Sequence, residues 1–114
     1  MPRYRLSDPA KTDIAAALRT SETIHGAEAR IRYRALLTAA MRRIAAEPLG
    51  RSTVDRSELS AGVRCFHIRH SRNESREAPV GDPVHVIFYR ALSPGLIVIV
   101  LHERMEPGHH IGRL

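Results

Sequence analysis

Residues 84–102 read VHVIFYRALSPGLIVIVLH, two apolar segments joined by a short turn. Both segments, Val84–Ala91 and Leu96–His102, are rich in the β-branched and aromatic residues that favour strands. The Ser-Pro-Gly sequence at 93–95 is typical of a tight turn. This stretch therefore predicts a β-hairpin.

A third strand-like segment, Val63–His70, precedes the hairpin, and Arg51–Gly62 before it is a polar connection. The intervening Ser71–Pro83 is polar and contains proline and glycine, which predicts a long flexible hairpin loop. Because hairpin connections join antiparallel neighbours, the three segments predict an antiparallel meander.

Two helices are predicted upstream of the meander. A short extended segment, Tyr4–Leu6, leads into a helix that begins with Asp8 as N-cap and Pro9 as first helical residue, and runs to about Ile24. Gly26 ends it as a left-handed C-cap. The second helix covers about Ala27–Ala46, where apolar residues recur at helical spacing.

The predicted order is strand, helix, helix and three strands, which indicates an α+β fold with a helical hairpin packed on one face of an antiparallel sheet. The chain has 114 residues, the size of one ordinary domain, so residues 1–114 are expected to form a single unit. The tail at 103–114 contains Pro107-Gly108, which breaks regular structure.

Composition excludes several classes of protein. Apolar residues make up 43% and charged residues 26%, as in a folded globular domain. The longest apolar run, Leu96–Leu101, is too short to cross a membrane, and no apolar stretch follows Met-Pro-Arg as in a secretory signal. We therefore expect a cytoplasmic protein with no membrane partner.

The sequence contains no recognisable metal or cofactor motif. Cys65 is the single cysteine, so neither an internal disulfide nor a multi-cysteine metal site is expected, and it is interpreted as a buried strand residue. His67 and His70 lie three apart on the predicted strand and would point to opposite faces. There is no glycine-rich phosphate loop. We expect no metal, no cofactor and no small-molecule substrate.

The charge balance suggests an anionic partner. Lys plus Arg number 18 against 12 for Asp plus Glu, a formal charge of +6 that suits nucleic acid or an acidic protein. Basic side chains are predicted to lie on one face of the sheet, beside the tail. The alternative is that strand alternation simply exposes these side chains to solvent. This set comprises Arg64, Arg69, Arg90, His102, Arg104, His109 and His110.

Five stretches in order along the chain resemble the ParE branch of the RelE/ParE toxins of bacterial type II toxin–antitoxin systems. The most specific is the tail pattern of Leu-His, then Arg-Met-acidic, then His-aliphatic. The loop SRNESREAPVGDP at 71–83 departs from the family, whose members usually have a tight turn there. The five stretches are YRLSDPAKTDI (4–14), HGAEA (25–29), AAEPLGR (45–51), GVRCFHI (62–68) and VLHERMEPGHHI (100–111).

The resemblance implies a RelE/ParE-like β-α-α-β-β-β fold and a toxin neutralised by a ParD-like antitoxin. ParE relatives inhibit DNA gyrase and so block replication, whereas RelE relatives cut mRNA on the ribosome. With gyrase as target no catalytic residue is expected. The residues then predicted to bind the target are Arg64, His102, Arg104, Met105 and His110.

The alternative is a ribosome-dependent mRNA endonuclease. RNA cleavage needs a base for the 2′-hydroxyl, an acid for the leaving oxygen and cations for the phosphorane. The strands carry no lysine, and the tail lacks the tyrosine that RelE relatives often place there, so gyrase is favoured. An acid–base set is still conceivable from Glu58, Arg64, His102 and His110.

Under either mechanism the helical hairpin is predicted to bind the antitoxin. Leu18, Ile31 and Leu36 are expected to be exposed apolar residues that accept an amphipathic antitoxin helix. The positive charge of the chain would speed the encounter with an acidic segment.

Overall fold

The computed structural model describes residues 4–75, 80–92, 95–102 and 105–109, with side chains over 4–75, 80–91 and 105–109. Two helices accompany a five-stranded sheet of order β1-β5-β4-β3-β2, which confirms the predicted α+β fold. The elements are β1 (Arg5–Leu6), α1 (Asp8–His25), α2 (Ala27–Ala46), β2 (Val54–Asp55), β3 (Val63–His67), β4 (His85–Leu92) and β5 (Gly95–His102).

The first helix is capped by a different residue from the one predicted. Ser7 has extended backbone angles, and its hydroxyl oxygen accepts a hydrogen bond from the Ala10 N–H at 3.1 Å. Asp8 is instead the first helical residue, where its negative charge interacts favourably with the helix dipole. The prediction of Asp8 as N-cap was therefore wrong by one position.

Gly26 ends α1 and begins the turn into α2, as predicted, but it is not the left-handed C-cap that the sequence predicted. Its φ of +95° is accessible to glycine without strain, although its ψ of 173° lies outside the left-handed helical region. Its N–H donates to the Glu22 carbonyl at 2.8 Å. An ion pair between Arg30 and Glu22 at 3.3 Å joins the two helices beside this turn.

The central meander of β3, β4 and β5 is antiparallel, as predicted. The two edge strands are short additions. In β1, Arg5 pairs in parallel with Ile97 of β5. In β2, Val54 pairs antiparallel with Cys65 of β3, inside the segment interpreted only as a polar connection. Each edge strand has two residues, too few to show an alternating pattern.

Strand β3 ends earlier than predicted. It stops at His67, and Ile68–Ser71 form a 3₁₀ turn. The His67 ring Nδ1 accepts from the Arg69 N–H at 3.1 Å and so caps the turn. His70 therefore does not lie on the strand, and the inference that it and His67 occupy opposite strand faces was wrong in its premise.

The main core lies between the helical hairpin and one face of the sheet. Helix α2 provides Leu36, Leu37 and Ile44, and the sheet provides Phe66 and Tyr89. Neither described helix is long and apolar enough to span a membrane.

The other sheet face carries a smaller apolar cluster of Val63, Cys65 and Phe88, against which Leu59 packs. The Arg56 guanidinium carbon lies 5.7 Å from the centre of the Phe88 ring. The connection at 56–59 therefore covers part of the sheet face that the helices leave open.

The described ends of the predicted long loop are attached to the rest of the fold. Arg72 Nε donates to the Val80 carbonyl at 2.7 Å. Glu74 pairs with Arg43 of α2 at 3.1 Å, and Pro83 is buried. Residues 76–79 of the predicted flexible loop lie outside the described residues.

Candidate target-binding and antitoxin-binding surfaces

A groove of about 1030 Å³ lies between the tip of the helical hairpin and residues 80–85, near the start of β4. We call it the hairpin groove. Two exposed apolar side chains border it, Ile24 of α1 at 65% exposure and Met105 of the tail at 48%. Its other lining residues include Ala17, Ala29, Tyr33 and His85.

Tyr33 and His85 hold the wall of the hairpin groove together. The Tyr33 hydroxyl oxygen lies 2.5 Å from His85 Nδ1 and accepts from the Val84 N–H at 3.2 Å. Because the hydroxyl accepts from Val84, its own proton is available for donation to Nδ1. The two rings meet edge to face with centroids 5.4 Å apart.

The structure describes only part of the predicted target-binding tail. Met105 borders the hairpin groove and is half-exposed, so it is accessible to a partner. The backbone of His102 ends β5 in register with His85. Arg104, His110 and the His102 side chain lie outside the described residues. His109 belongs to a 3₁₀ turn at Pro107–His109 and is exposed.

The predicted cationic face of the sheet does not exist as one surface. Arg64 is in register with Tyr89, whose side chain lies in the core under the helices. Arg90 is in register with Val63, which lies in the opposite cluster. Since directly paired residues share a face, Arg64 and Arg90 occupy opposite faces of the sheet. The expectation that they share one face was wrong.

Arg64 links the sheet to the turn that precedes β2. Its Nη2 donates to the Thr53 hydroxyl at 2.9 Å. Nearby, the Tyr89 hydroxyl donates to the Pro48 carbonyl at 2.5 Å. Burial raises the pKa of Tyr89, an effect that its interactions with Thr53 and Arg64 oppose. These contacts give Arg64 a structural role, while its predicted target contact stays a prediction.

Two members of the possible acid–base set, Arg64 and His102, have backbones that lie far apart in the sheet. Arg64 is in register with Tyr89, and Tyr89 with Val98, four residues before His102 on β5. Two strand spacings and four residues separate the backbones of Arg64 and His102 by about 16 Å. His110, the fourth member, lies outside the described residues.

Glu58, the carboxylate of that set, is paired and weakly basic. Arg56 Nε donates to its carboxylate at 2.8 Å, and this hydrogen bond is the main cause that lowers the pKa of Glu58. A carboxylate with a lowered pKa is a weaker proton acceptor, so this environment opposes a general-base role.

Cys65 is a poor nucleophile in this environment. Its side chain is buried, and burial raises the pKa of the thiol despite the opposing effect of Arg56. The protonated thiol fits the interpretation of Cys65 as a packed strand residue. Within the described part of the chain, histidine, cysteine, aspartate and glutamate form no group of three able to hold a metal ion.

Two of the three predicted antitoxin-binding residues are buried. Leu18 is 6% exposed and Leu36 is 1% exposed, because the apolar stripes of both helices pack in the main core. The prediction that these two side chains are exposed was wrong. Ile31 is 55% exposed, as predicted, and lies on the side of α2 that faces away from the core.

No sequence pattern indicates the contact between Tyr33 and His85. Their positions are 52 residues apart, and neither belongs to a local chemical motif. In the sequence, Tyr33 is one of the apolar residues that recur at helical spacing in α2. A tyrosine hydroxyl in such a stripe does indicate that a polar partner is needed, but it does not identify the partner.

Comparison with known protein families gives one assignment. Residues 4–107 match the family model described as the ParE toxin of the type II toxin–antitoxin system, parDE. A comparison with curated individual proteins finds no significant match. The matched region includes both helices, all five strands, Met105 and the residues that line the hairpin groove. The chain therefore belongs to the ParE toxin family and is the toxin of a type II toxin–antitoxin system.

Proposed function

We propose that this toxin inhibits DNA gyrase in the cytoplasm, so that replication stops, and that a ParD-like antitoxin neutralises it. The observation that carries this proposal is the separation of two of the possible catalytic residues. The backbones of Arg64 and His102 are about 16 Å apart across the sheet. Glu58 is held by Arg56 with a lowered pKa. These positions support inhibition by binding over acid–base cleavage of RNA.

The proposed gyrase-binding surface is the tail together with the hairpin groove that it borders. Met105 and Ile24 offer exposed apolar area at the two sides of this groove. Arg104 and His110 of the same tail are proposed to add cationic contacts. The formal charge of +6 would favour approach to a gyrase surface that is acidic or carries DNA.

The proposed antitoxin partner is a ParD-like protein with an acidic segment that folds on the toxin. Such a segment gives up part of its interaction free energy to become ordered, so it needs a large contact area. The helical hairpin offers exposed apolar side chains for this purpose, with Ile31 on α2 and Ile24 on α1.

The experiment compares the two targets directly. The purified chain is added to a cell-free translation reaction and, separately, to gyrase with relaxed plasmid and ATP. We expect intact message in the first reaction and loss of supercoiling or accumulation of cleaved DNA in the second. Message cut in the ribosomal A site, together with undiminished supercoiling, would contradict the proposal and favour the RelE-type alternative.

A further inference from the structure

A cluster of basic side chains lies where the end of β3 meets the C-terminal end of α2. Residues 67–72 read HIRHSR, so four of these six residues are histidine or arginine. The 3₁₀ turn at Ile68–Ser71 leaves Arg69 and His70 exposed, and Arg43 of α2 lies against this turn. We call the set the basic cluster, and its members are Arg42, Arg43, Arg51, Arg69 and His70.

Arg43 fixes the backbone of the basic cluster. Its Nη1 donates to the His70 carbonyl at 3.0 Å and contacts Glu74 at 3.1 Å, while its Nη2 donates to the Arg51 carbonyl at 3.2 Å. Two segments that are distant in sequence are therefore held on the two sides of one guanidinium group. This arrangement brings Arg51 and the turn that carries Arg69 to the same part of the surface.

Three arginines of the basic cluster are available to a partner. Arg42, Arg51 and Arg69 are exposed, and their side chains form no ion pair or hydrogen bond with any residue that the structure describes. Two carboxylates, Glu47 and Glu74, line a groove together with Arg42. Because the cluster has four arginines against these two carboxylates, it keeps a net positive charge.

The His70 ring reports the positive potential of the basic cluster. Burial is the main cause that lowers the pKa of His70, and the nearby charges of Arg69, His67 and Arg43 lower it further. Cations disfavour the protonated imidazole, so these three side chains act on one position. The same potential favours the binding of an anion at this surface.

The chemistry of the cluster suits the phosphates of a nucleic acid. A guanidinium group is a planar fork that matches two phosphate oxygens. The available arginines come from α2, from the connection after it and from the 3₁₀ turn, so they form a patch rather than a stripe along one helix. A backbone of repeated phosphates can contact several such cations at once, and each contact releases counterions.

The basic cluster and the hairpin groove lie at opposite ends of α2. Tyr33, which lines the hairpin groove, precedes Arg43 by ten residues, about 15 Å along the helix axis. One toxin molecule can therefore offer the hairpin groove to a protein surface and the basic cluster to DNA held by the same enzyme.

We propose that the basic cluster binds the phosphate backbone of duplex DNA, with Arg42, Arg51 and Arg69 on phosphate oxygens. This inference rests on the proposed action on gyrase, an enzyme that holds DNA, and it adds a DNA contact to the proposed protein contact of the tail. Phosphate contacts carry no sequence information, so binding should not depend on the sequence of the duplex.

The test measures binding of a short, fluorescently labelled DNA duplex to the purified chain by anisotropy. The variant is Arg51→Gln/Arg69→Gln, and the matched control is Arg5→Gln/Arg19→Gln, which removes the same charge at two exposed arginines of β1 and α1. Circular dichroism verifies that both are folded. Unlabelled duplex, single-stranded RNA of the same length and a polyglutamate peptide of the same charge serve as competitors.

The wild-type chain and the control are expected to bind the duplex equally, and the unlabelled duplex should be the best competitor. Arg51→Gln/Arg69→Gln should bind roughly tenfold or more weakly at about 0.1 M salt. Its plot of log affinity against log salt should be shallower by about two, because two phosphate contacts are lost.

The titration of His70, followed by proton NMR, gives a second readout at the cluster itself. Bound phosphates favour the protonated imidazole and oppose the effect of Arg69, His67 and Arg43. Addition of the duplex should therefore raise the pKa of His70 in the wild-type chain.

Undiminished duplex binding by folded Arg51→Gln/Arg69→Gln, or an unchanged pKa of His70 in the complex, would overturn the inference. Equal or better competition by polyglutamate would assign the cluster to an acidic protein instead, and by RNA to an RNA partner. Gyrase inhibition is measured separately on the same proteins. A wild-type chain that binds the duplex through the cluster but leaves gyrase active would contradict the proposed target alone.

Discussion

The Tyr33 hydroxyl lies 2.5 Å from Nδ1 of His85, and this contact joins the N-terminal half of α2 to the first residue of β4. The same hydroxyl accepts from the Val84 N–H, so one side chain satisfies two groups at the wall of the hairpin groove. Met105 borders that groove as well. The pair therefore connects the packing of the helical hairpin to the position of the proposed target-binding surface.

Tyr33→Phe should destabilise the fold by about 1 kcal/mol, because it leaves the Val84 N–H without this acceptor and His85 without this hydroxyl. Urea unfolding measures the change. Tyr4→Phe is the matched control, since within the described residues the Tyr4 hydroxyl forms no hydrogen bond, and it should change stability by less than about 0.5 kcal/mol. Equal midpoints for Tyr33→Phe and the wild type would contradict the assigned bonds.

Leu36→Ala and Ile31→Ala distinguish the buried face of α2 from its exposed face. Leu36 is buried, so its truncation should cost about 2–5 kcal/mol in the free energy of unfolding. Ile31 is exposed, so its truncation should cost less than about 0.5 kcal/mol. Chemical denaturation of both variants gives the comparison. Similar losses at the two positions would show that the assigned faces of α2 are incorrect.

The Cys65 thiol should react slowly with a disulfide reagent in the native protein. Burial raises its pKa, so at mildly alkaline pH a smaller fraction is thiolate than in the unfolded chain. The reaction should accelerate in urea, where the thiol is exposed and its pKa returns to the ordinary value. Absorbance of the released thiolate follows both rates. A native rate equal to the unfolded rate would contradict the burial of Cys65.

Replacement of Arg104, the tail residue before Met105, should remove toxicity without changing the stability of the fold. Arg104→Ala is expected to abolish growth arrest while the melting temperature stays that of the wild type, because the proposed role of Arg104 is contact with the target. Arg19→Ala, which removes an exposed arginine from α1, is the control and should remain toxic. Growth arrest by Arg104→Ala at equal expression would place the target-binding surface elsewhere.

Sequence patterns predicted the large elements because those elements are long and periodic. Helix α2 was expected at Ala27–Ala46 and occurs there. The pairing of β1 with β5 and of β2 with β3 was not predictable, because strands of two residues show no alternation of apolar and polar residues. The end of β3 at His67 was also missed, since it depends on a hydrogen bond from the Arg69 N–H to the His67 ring.

The candidate surfaces were harder to predict than the fold. An apolar stripe on a helix has the same pattern whether it faces its own sheet or a partner, and this explains the incorrect exposure expected for Leu18 and Leu36. The separation of Arg64 from Arg90 depends on strand register, which a list of basic residues does not contain. Contacts between distant positions, such as Tyr33 with His85, follow only from the packed structure.

The central claim is that this toxin acts on gyrase, and a titration of the purified chain against gyrase tests it most directly. Relaxed plasmid and ATP are supplied, and the product is separated by gel electrophoresis. Supercoiling should disappear, or cleaved DNA should accumulate, as the wild-type chain is added, whereas Arg104→Ala should leave supercoiling intact. Full supercoiling and no cleaved DNA at an excess of the wild-type chain would contradict the account.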